Sequence, residues 1–143
     1  MRPEQALKGV QMRQARVFLV EDEALIRLML AEMIEELEHQ IVAEAGSIES
    51  ALLFAETAAF DIAILDVNIG GYYIDKVAQA IERRGLPFIF VTGYAKAAMP
   101  SAFLDRPHLQ KPCLPEMLRR EITSALGTPK CLSENNLNQR NHL

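Results

Sequence analysis

The sequence lacks the features that mark secreted, membrane and nucleic-acid-binding proteins. Its 143 residues include two cysteines, Cys113 and Cys131, which form no C-x-x-C pair and predict free thiols in a reducing cytoplasm. No apolar run approaches the ~18 to 20 residues that cross a bilayer, and no apolar signal segment follows Met1-Arg2-Pro3-Glu4. Basic residues are not in excess either, because 15 Lys and Arg face 19 Asp and Glu. We therefore expect a cytoplasmic protein that binds neither membrane nor nucleic acid.

The residues that are present form an ordinary globular composition. Half of them are hydrophobic, 24% are charged, and Gly and Pro number seven each. A chain of this length buries a core without disulfides. We expect one domain at residues 16–126, preceded by a polar arm at 1–15. An Asn-rich flexible tail at 127–143 is expected to follow, with no output domain.

Between the arm and the tail, short apolar segments alternate with helical periodicity. The apolar segments predict five strands, at 17–20, 41–45, 62–65, 88–91 and 109–110. Helical spacing, an N-cap at Ser47 and ends at Gly85 and Gly127 predict five helices, at 23–38, 48–59, 73–84, within 95–104 and at 114–126. This alternation predicts an α/β fold, a doubly wound, flavodoxin-like parallel sheet in the order 2-1-3-4-5.

Polar residues follow four of the predicted strands. Glu21 and Asp22 follow the first strand, Asp66 follows the third, Thr92 with the adjoining Gly93 follows the fourth, and Lys111 follows the fifth. Ligands of such sheets bind beyond the carboxyl ends of the strands, at the switch point between strands 1 and 3. Each residue alone is also explained by helix capping, turn chemistry or a solvated loop. Together, three carboxylates would repel one another, so a cation or a catalytic task is expected to compensate them.

The residue types in this set indicate phosphoryl chemistry. An all-oxygen site suits Mg²⁺ or Mn²⁺ better than Zn²⁺, and a carboxylate beside a hard cation can attack phosphorus and form an acyl phosphate. Lys111 and Thr92 supply partners for the phosphoryl oxygens. No P-loop motif is present, and Asp66-Val67-Asn68 lacks the second Asp of haloacid-dehalogenase-type phosphatases. The site is therefore expected to accept a phosphoryl group without turning it over quickly.

Four segments occur in an ordered set: Val20-Glu21-Asp22-Glu23, Leu65-Asp66-Val67-Asn68, Val91-Thr92-Gly93-Tyr94 and Gln110-Lys111-Pro112. This set resembles the receiver domains of two-component response regulators over about residues 16–126. The resemblance implies that Asp66 is the phosphoacceptor. It implies that Asp22, Asp66 and the Asn68 carbonyl hold Mg²⁺, with Glu21 contributing through water. It further implies that Thr92, Lys111 and the Gly93 N–H bind phosphoryl oxygens, and that the Lys111–Pro112 bond is cis.

The sequence departs from common receivers at one position. The residue three before the lysine is usually aromatic, and here it is His108. An aromatic residue stands instead at Tyr94, and residues 90–94 resemble the subgroup nicknamed FAT GUY, typical of alphaproteobacterial signalling. His108 is also explained as a polar residue on an edge strand, and Tyr94 as a lid over the site. Which of the two acts as a switch stays open.

The resemblance implies a stand-alone receiver rather than an enzyme, beyond self-phosphorylation and autodephosphorylation. It would take a phosphoryl group from a sensor histidine kinase or a histidine phosphotransfer protein and signal by contact with a downstream protein, with a homodimer open. A first alternative is an interaction module with a vestigial site, which the intact Asp22, Asp66, Thr92 and Lys111 disfavour. A second is a small aspartyl-phosphate phosphatase.

Overall fold

The computed structural model describes residues 14–93 and 106–127. Seven strands lie in these ranges: β1 Arg16–Val20, β2 Gln40–Ala45, β3 Ile62–Leu65, β4 Asn68–Ile69, β5 Tyr72–Tyr73, β6 Phe88–Thr92 and β7 His108–Gln110. Four helices accompany them: α1 Ala24–Glu36, α2 Ile48–Thr57, α3 Asp75–Arg83 and α4 Pro115–Leu126. The fifth predicted helix, within 95–104, lies outside the described residues, as do Tyr94, Cys131 and most of the predicted arm and tail.

The main sheet has five parallel strands in the order β2-β1-β3-β6-β7. This is the predicted order 2-1-3-4-5, because β4 and β5 form a separate two-stranded sheet. The central strands β3 and β6 are buried along their whole length. Continuous burial explains why they are apolar without alternation, as expected of a sheet covered on both faces.

An apolar core lies on each face of the sheet. Successive side chains of a strand point to opposite faces, and β1 divides its residues accordingly. Val17 and Leu19 belong to the core that includes Ile34 of α1 and Leu118 of α4. Phe18 belongs to the other core, together with residues of α2 and α3. The faces differ in their helices, and the carboxyl ends of all five strands share one edge.

The hairpin of β4 and β5 corrects the prediction for residues 73–84. The predicted helix included Tyr73, whereas α3 begins at Asp75 and Tyr73 pairs with Asn68 in an antiparallel hairpin. Its two loop residues, Gly70 and Gly71, have φ of 59° and 87°. Positive φ at both central residues is typical of a type I′ turn, which suits the twist of a hairpin and favours glycine. The Gly-Gly pair was therefore a hairpin signal.

The helix ends follow local chemistry. Ser47 caps α2 as predicted, since its hydroxyl accepts a hydrogen bond from the Ser50 N–H at 3.2 Å. The first helix ends at Glu36, before the predicted end, and Glu38 takes a φ of 73°. Among the helices described, none has both the length and the apolar composition needed to span a bilayer.

Candidate functional site

Three carboxylates meet at the carboxyl edge of the sheet. Glu21 and Asp22 follow β1 and Asp66 follows β3, and these two strands pair in register up to Val20 and Leu65. One carboxylate oxygen from each of the three residues lies within 4.8 Å of the others. Glu21 and Asp66 are buried, whereas Asp22 is exposed. The structure therefore brings the predicted acidic residues together, with one side open to solvent. We call Glu21, Asp22 and Asp66 the acidic cluster.

Backbone hydrogen bonds hold the acidic cluster in place. The sheet ladder continues past the strand ends, because the Asp66 N–H donates to the Val20 carbonyl at 3.0 Å. Each carboxylate then accepts one backbone N–H, from its own loop for Glu21 and Asp66 and from the β4–β5 turn for Asp22. The donors are Glu23 for Glu21 at 3.1 Å, Gly70 for Asp22 at 2.9 Å and Asn68 for Asp66 at 3.4 Å. The orientation of all three side chains is thus set by the loops.

Lys111 reaches into the acidic cluster from the end of β7. Its Nζ donates to Glu21 Oε1 at 2.5 Å and to Asp66 Oδ2 at 3.1 Å. The Lys111 N–H donates to the Thr92 carbonyl at 2.8 Å, which fixes the start of this loop. The following Lys111–Pro112 bond is cis, which confirms that prediction.

Charge in the cluster is not balanced by the lysine alone. Burial lowers the pKa of Lys111, but hydrogen bonds and charges from Glu21 and Asp66 outweigh burial and raise that pKa overall. Burial raises the pKa of Glu21, and the nearby Asp66 charge adds to this against the lowering effect of Lys111. One ammonium group thus faces three carboxylates, which leaves an excess of negative charge.

The donor set of the acidic cluster fits a hard divalent cation. All three side chains offer carboxylate oxygens, the ligand type that Mg²⁺ and Mn²⁺ prefer. Asn68 lies on the adjoining hairpin, where its side-chain Oδ1 accepts the Gly71 N–H at 3.0 Å. That contact ties the hairpin turn together; the expected role of the Asn68 backbone carbonyl as a ligand stays a prediction.

Thr92 and Gly93 lie at the same edge, beyond β6. Thr92 is fully buried at the end of that strand, and β6 pairs directly with β3. A Cβ added at Gly93 would meet no atom within 4 Å among the described residues. Among the residues described, therefore, none covers the Gly93 backbone on that side.

His108 lies on the edge strand β7, as expected of a polar residue on that strand. It is half-buried and pairs in register with Phe90. Its Nδ1 lies 3.2 Å from the Arg106 carbonyl oxygen. These contacts give His108 a place in the sheet, and its switch role stays open because Tyr94 lies beyond the described residues.

Two residues at the site escaped the sequence reasoning. Gly70 donates its N–H to Asp22, and the Gly-Gly hairpin signal would have placed it near the sheet edge. Arg27 donates from its guanidinium to the Glu21 carbonyl at 2.5 Å. Only its position in the first turn of the helix after the acidic pair could have pointed to it.

Comparison with known proteins identifies one family over most of the chain. The family model described as "Response regulator receiver domain" matches residues 17–123. The Transcriptional regulatory protein PdtaR of Mycobacterium tuberculosis (strain H37Rv) is 34% identical over 133 residues, which cover 83% of this chain and 65% of PdtaR. This chain therefore spans slightly less than two thirds of that relative.

Solved structures agree with this result. The solution structure of SdrG from Sphingomonas melonis Fr1 is 38% identical, with a TM-score of 0.70, and covers 79% of this chain and 96% of SdrG. SdrG in a BeF3-activated conformation, from Pseudomonas melonis Fr1, is 36% identical, with a TM-score of 0.67, over 78% of this chain and 96% of that one. A crystal structure of a mutant of the anti-anti-sigma factor PhyR from Bartonella quintana is 25% identical, with a TM-score of 0.71, over 93% of this chain and 55% of PhyR.

Proposed function

The chain belongs to the response regulator receiver domain family, and on that premise we propose that Asp66 is its phosphoacceptor. The phosphoryl group would come from a phosphohistidine of a sensor histidine kinase or a histidine phosphotransfer protein, in the cytoplasm. One observation carries the proposal: the buried Asp66 carboxylate lies within hydrogen-bond reach of the Lys111 ammonium and within 4.8 Å of two further carboxylates. Residues 16–126 would act as the receiver unit.

The transfer itself follows from the chemistry of the Asp66 carboxylate. One of its oxygens attacks the phosphorus, the P–N bond to the imidazole breaks, and the electron pair of that bond returns to the ring nitrogen. That nitrogen takes up a proton from solvent, so the products are an acyl phosphate on Asp66 and a neutral imidazole. The Asn68 N–H, which lies 3.4 Å from Asp66 Oδ1, orients the carboxylate for this attack.

The remaining residues bind the charge that the phosphoryl group brings. Mg²⁺ held by Asp22, Asp66 and the Asn68 carbonyl, with Glu21 contributing through water, would supply positive charge next to the transferred group. Lys111 already lies beside Asp66 and would contact a phosphoryl oxygen there. Thr92 and the Gly93 N–H, at the end of the neighbouring strand, would bind another.

We propose that the signal leaves the domain through contact with a downstream protein. Covalent phosphorylation changes local charge and hydrogen bonding, and such a change can bias an element with two arrangements. The description of PhyR as an anti-anti-sigma factor names a regulator that acts through another regulator, which supports an output of this kind.

Labelling with acetyl phosphate and Mg²⁺ tests the assignment. Wild-type protein should gain one acid-labile phosphoryl group by intact mass, and Asp66→Asn should gain none because the nucleophile is removed at constant shape. Asp61→Asn is the matched control, since Asp61 precedes β3 at the opposite edge and binds Arg16. It should label like the wild type.

The alternatives give different results in the same assay. A phosphorylation-independent interaction module would gain no group, and a phosphatase would release phosphate over many turnovers. Undiminished labelling of Asp66→Asn would contradict the proposal directly.

A further inference from the structure

Arg27 connects the loop that carries the acidic cluster to the neighbouring strand β2. From the first turn of α1, its guanidinium donates to the Glu21 carbonyl at 2.5 Å. The Nε of the same group lies 3.4 Å from Glu44 Oε1 on β2. Its own N–H donates to the Glu23 carbonyl at 2.9 Å, within the helix start. Arg27 therefore contacts both sides of the short segment that contains Asp22.

Gly46 leaves the space that this guanidinium occupies. A Cβ added at Gly46 would lie 2.8 Å from an Arg27 terminal nitrogen and 3.7 Å from the Glu21 carbonyl oxygen. The first distance is shorter than a Cβ contact allows, so any larger residue would push the guanidinium aside. The guanidinium of Arg27 thus occupies a position that is available because residue 46 is a glycine.

The carbonyl that Arg27 contacts belongs to the peptide between Glu21 and Asp22. The N–H of Glu21 is already held by the Ala45 carbonyl at 3.0 Å. That N–H lies on the preceding peptide, so with the Glu21 carbonyl held as well, the peptides on both sides of the Glu21 Cα are restrained, and the second of them leads to Asp22. Asp22 is the exposed member of the acidic cluster, and its carboxylate is held by the Gly70 N–H, whereas Glu21 and Asp66 are each held by a backbone N–H and by Lys111.

We propose that Arg27 is a positioning residue for cation binding at the acidic cluster, acting through the Glu21 carbonyl. This inference rests on the proposed function for its cation. The effect is geometric because Glu44 pairs with the guanidinium and offsets its charge nearby. Geometry and charge make opposite predictions: removing a cation near the cluster should tighten Mg²⁺ binding, whereas removing a support for Asp22 should weaken it.

The experiment measures Mg²⁺ affinity by titration of ¹⁵N-labelled protein. Arg27→Gln should raise the dissociation constant about tenfold, the size seen for other groups that orient metal ligands. Gly46→Ala should change it in the same direction although every acid and Arg27 itself remain. Arg27→Lys should restore part of the affinity, since an ammonium can reach one acceptor but lacks the planar fork.

Arg16→Gln is the matched control. Arg16 pairs with Asp61 at the start of β1, so the same chemical change there should leave the affinity within about twofold, as for an exposed ion pair. Backbone order parameters of residues 21–23, measured without Mg²⁺, should fall in Arg27→Gln and Gly46→Ala and stay unchanged in Arg16→Gln.

Each result decides the matter. Unchanged or tighter Mg²⁺ binding in both Arg27→Gln and Gly46→Ala, or unchanged order parameters in both, overturns the positioning role and leaves the proposed function standing. Wild-type protein that binds Mg²⁺ with the expected variant pattern but gains no phosphoryl group overturns the proposed function and leaves the Arg27 inference standing. A wild type that binds no Mg²⁺ overturns the inference.

Discussion

His39 is a buried side chain whose titration should couple stability to pH. It lies after α1 and is 6% exposed, and its Nδ1 accepts the Ala15 N–H at 3.0 Å. An accepting Nδ1 places the proton of the neutral ring on Nε2, which has no hydrogen-bond partner among the described residues. Burial lowers the pKa of His39, and the negative charge of Glu38 opposes this only in part. Protonation would also remove the acceptor for Ala15.

We predict that the free energy of unfolding decreases as the pH falls below the ordinary histidine pKa of about 6.5. The unfolded chain binds a proton there that the folded chain resists, so stability rises with pH through the interval between the lowered folded pKa and the ordinary one. Above that interval the contribution is fully present. Urea unfolding at pH 7.5 and pH 5.5 measures the difference.

Two variants isolate this effect from other titrating groups. His39→Asn keeps an acceptor near the Nδ1 position and cannot be protonated, so the difference between the two pH values should shrink. His108→Asn, on the edge strand β7, should retain it. Equal pH dependence in wild type and His39→Asn would show that other groups are responsible.

At the scale of elements, the strands and helices were predictable where burial produces a regular pattern of apolar residues. The strand at Ile62–Leu65 was predicted with its observed bounds, because four consecutive buried residues leave a continuous apolar signal. The cap at Ser47 was predictable because N-caps depend on local hydrogen bonding. The β4–β5 hairpin was missed because its strands are two residues long and Tyr72 and Tyr73 are exposed.

The hairpin turn gives a prediction of its own. Gly71 has a φ of 87°, a region in which a β-branched residue is strained. Gly71→Val should therefore lower the free energy of unfolding by about 1 to 3 kcal/mol, measured by urea denaturation. Gly71→Asn should cost less, because Asn tolerates left-handed backbone better.

The same substitution should reach the site through the turn. Gly70 donates its N–H to Asp22, so distortion at the adjacent residue should shift the amide resonances of Gly70 and Asp22 in Gly71→Val more than in Gly71→Asn. Equal stability and equal shifts in both variants would mean that the turn adapts without strain.

At the scale of the whole molecule, the acidic cluster is a product of topology. Glu21 and Asp66 are 45 positions apart in the chain, yet they become neighbours because β1 and β3 are adjacent in the sheet. The rule that parallel strands end at a common edge made this predictable. The close approach of Arg27 to Gly46 was not predictable, because it depends on how far one side chain extends toward another loop and leaves no pattern in the sequence.

Because the cluster joins loops that are distant in the sequence, after β1 and after β3, a cation bound there should stabilise the whole fold. A ligand that binds only the folded state adds RT ln(1 + [L]/Kd), about 2.7 kcal/mol at a hundredfold excess over Kd. The temperature of thermal unfolding of the wild type should therefore rise with Mg²⁺.

Asp22→Asn should respond less to Mg²⁺, because a carboxylate ligand is lost. Without Mg²⁺ it should be at least as stable as the wild type, since one of three mutually repelling carboxylates is gone and the amide oxygen still accepts the Gly70 N–H. As Mg²⁺ is added, the wild type should thus become more stable than Asp22→Asn, whereas the curve of Asp61→Asn should run parallel to that of the wild type. Parallel curves for Asp22→Asn would place any Mg²⁺ binding away from the acidic cluster.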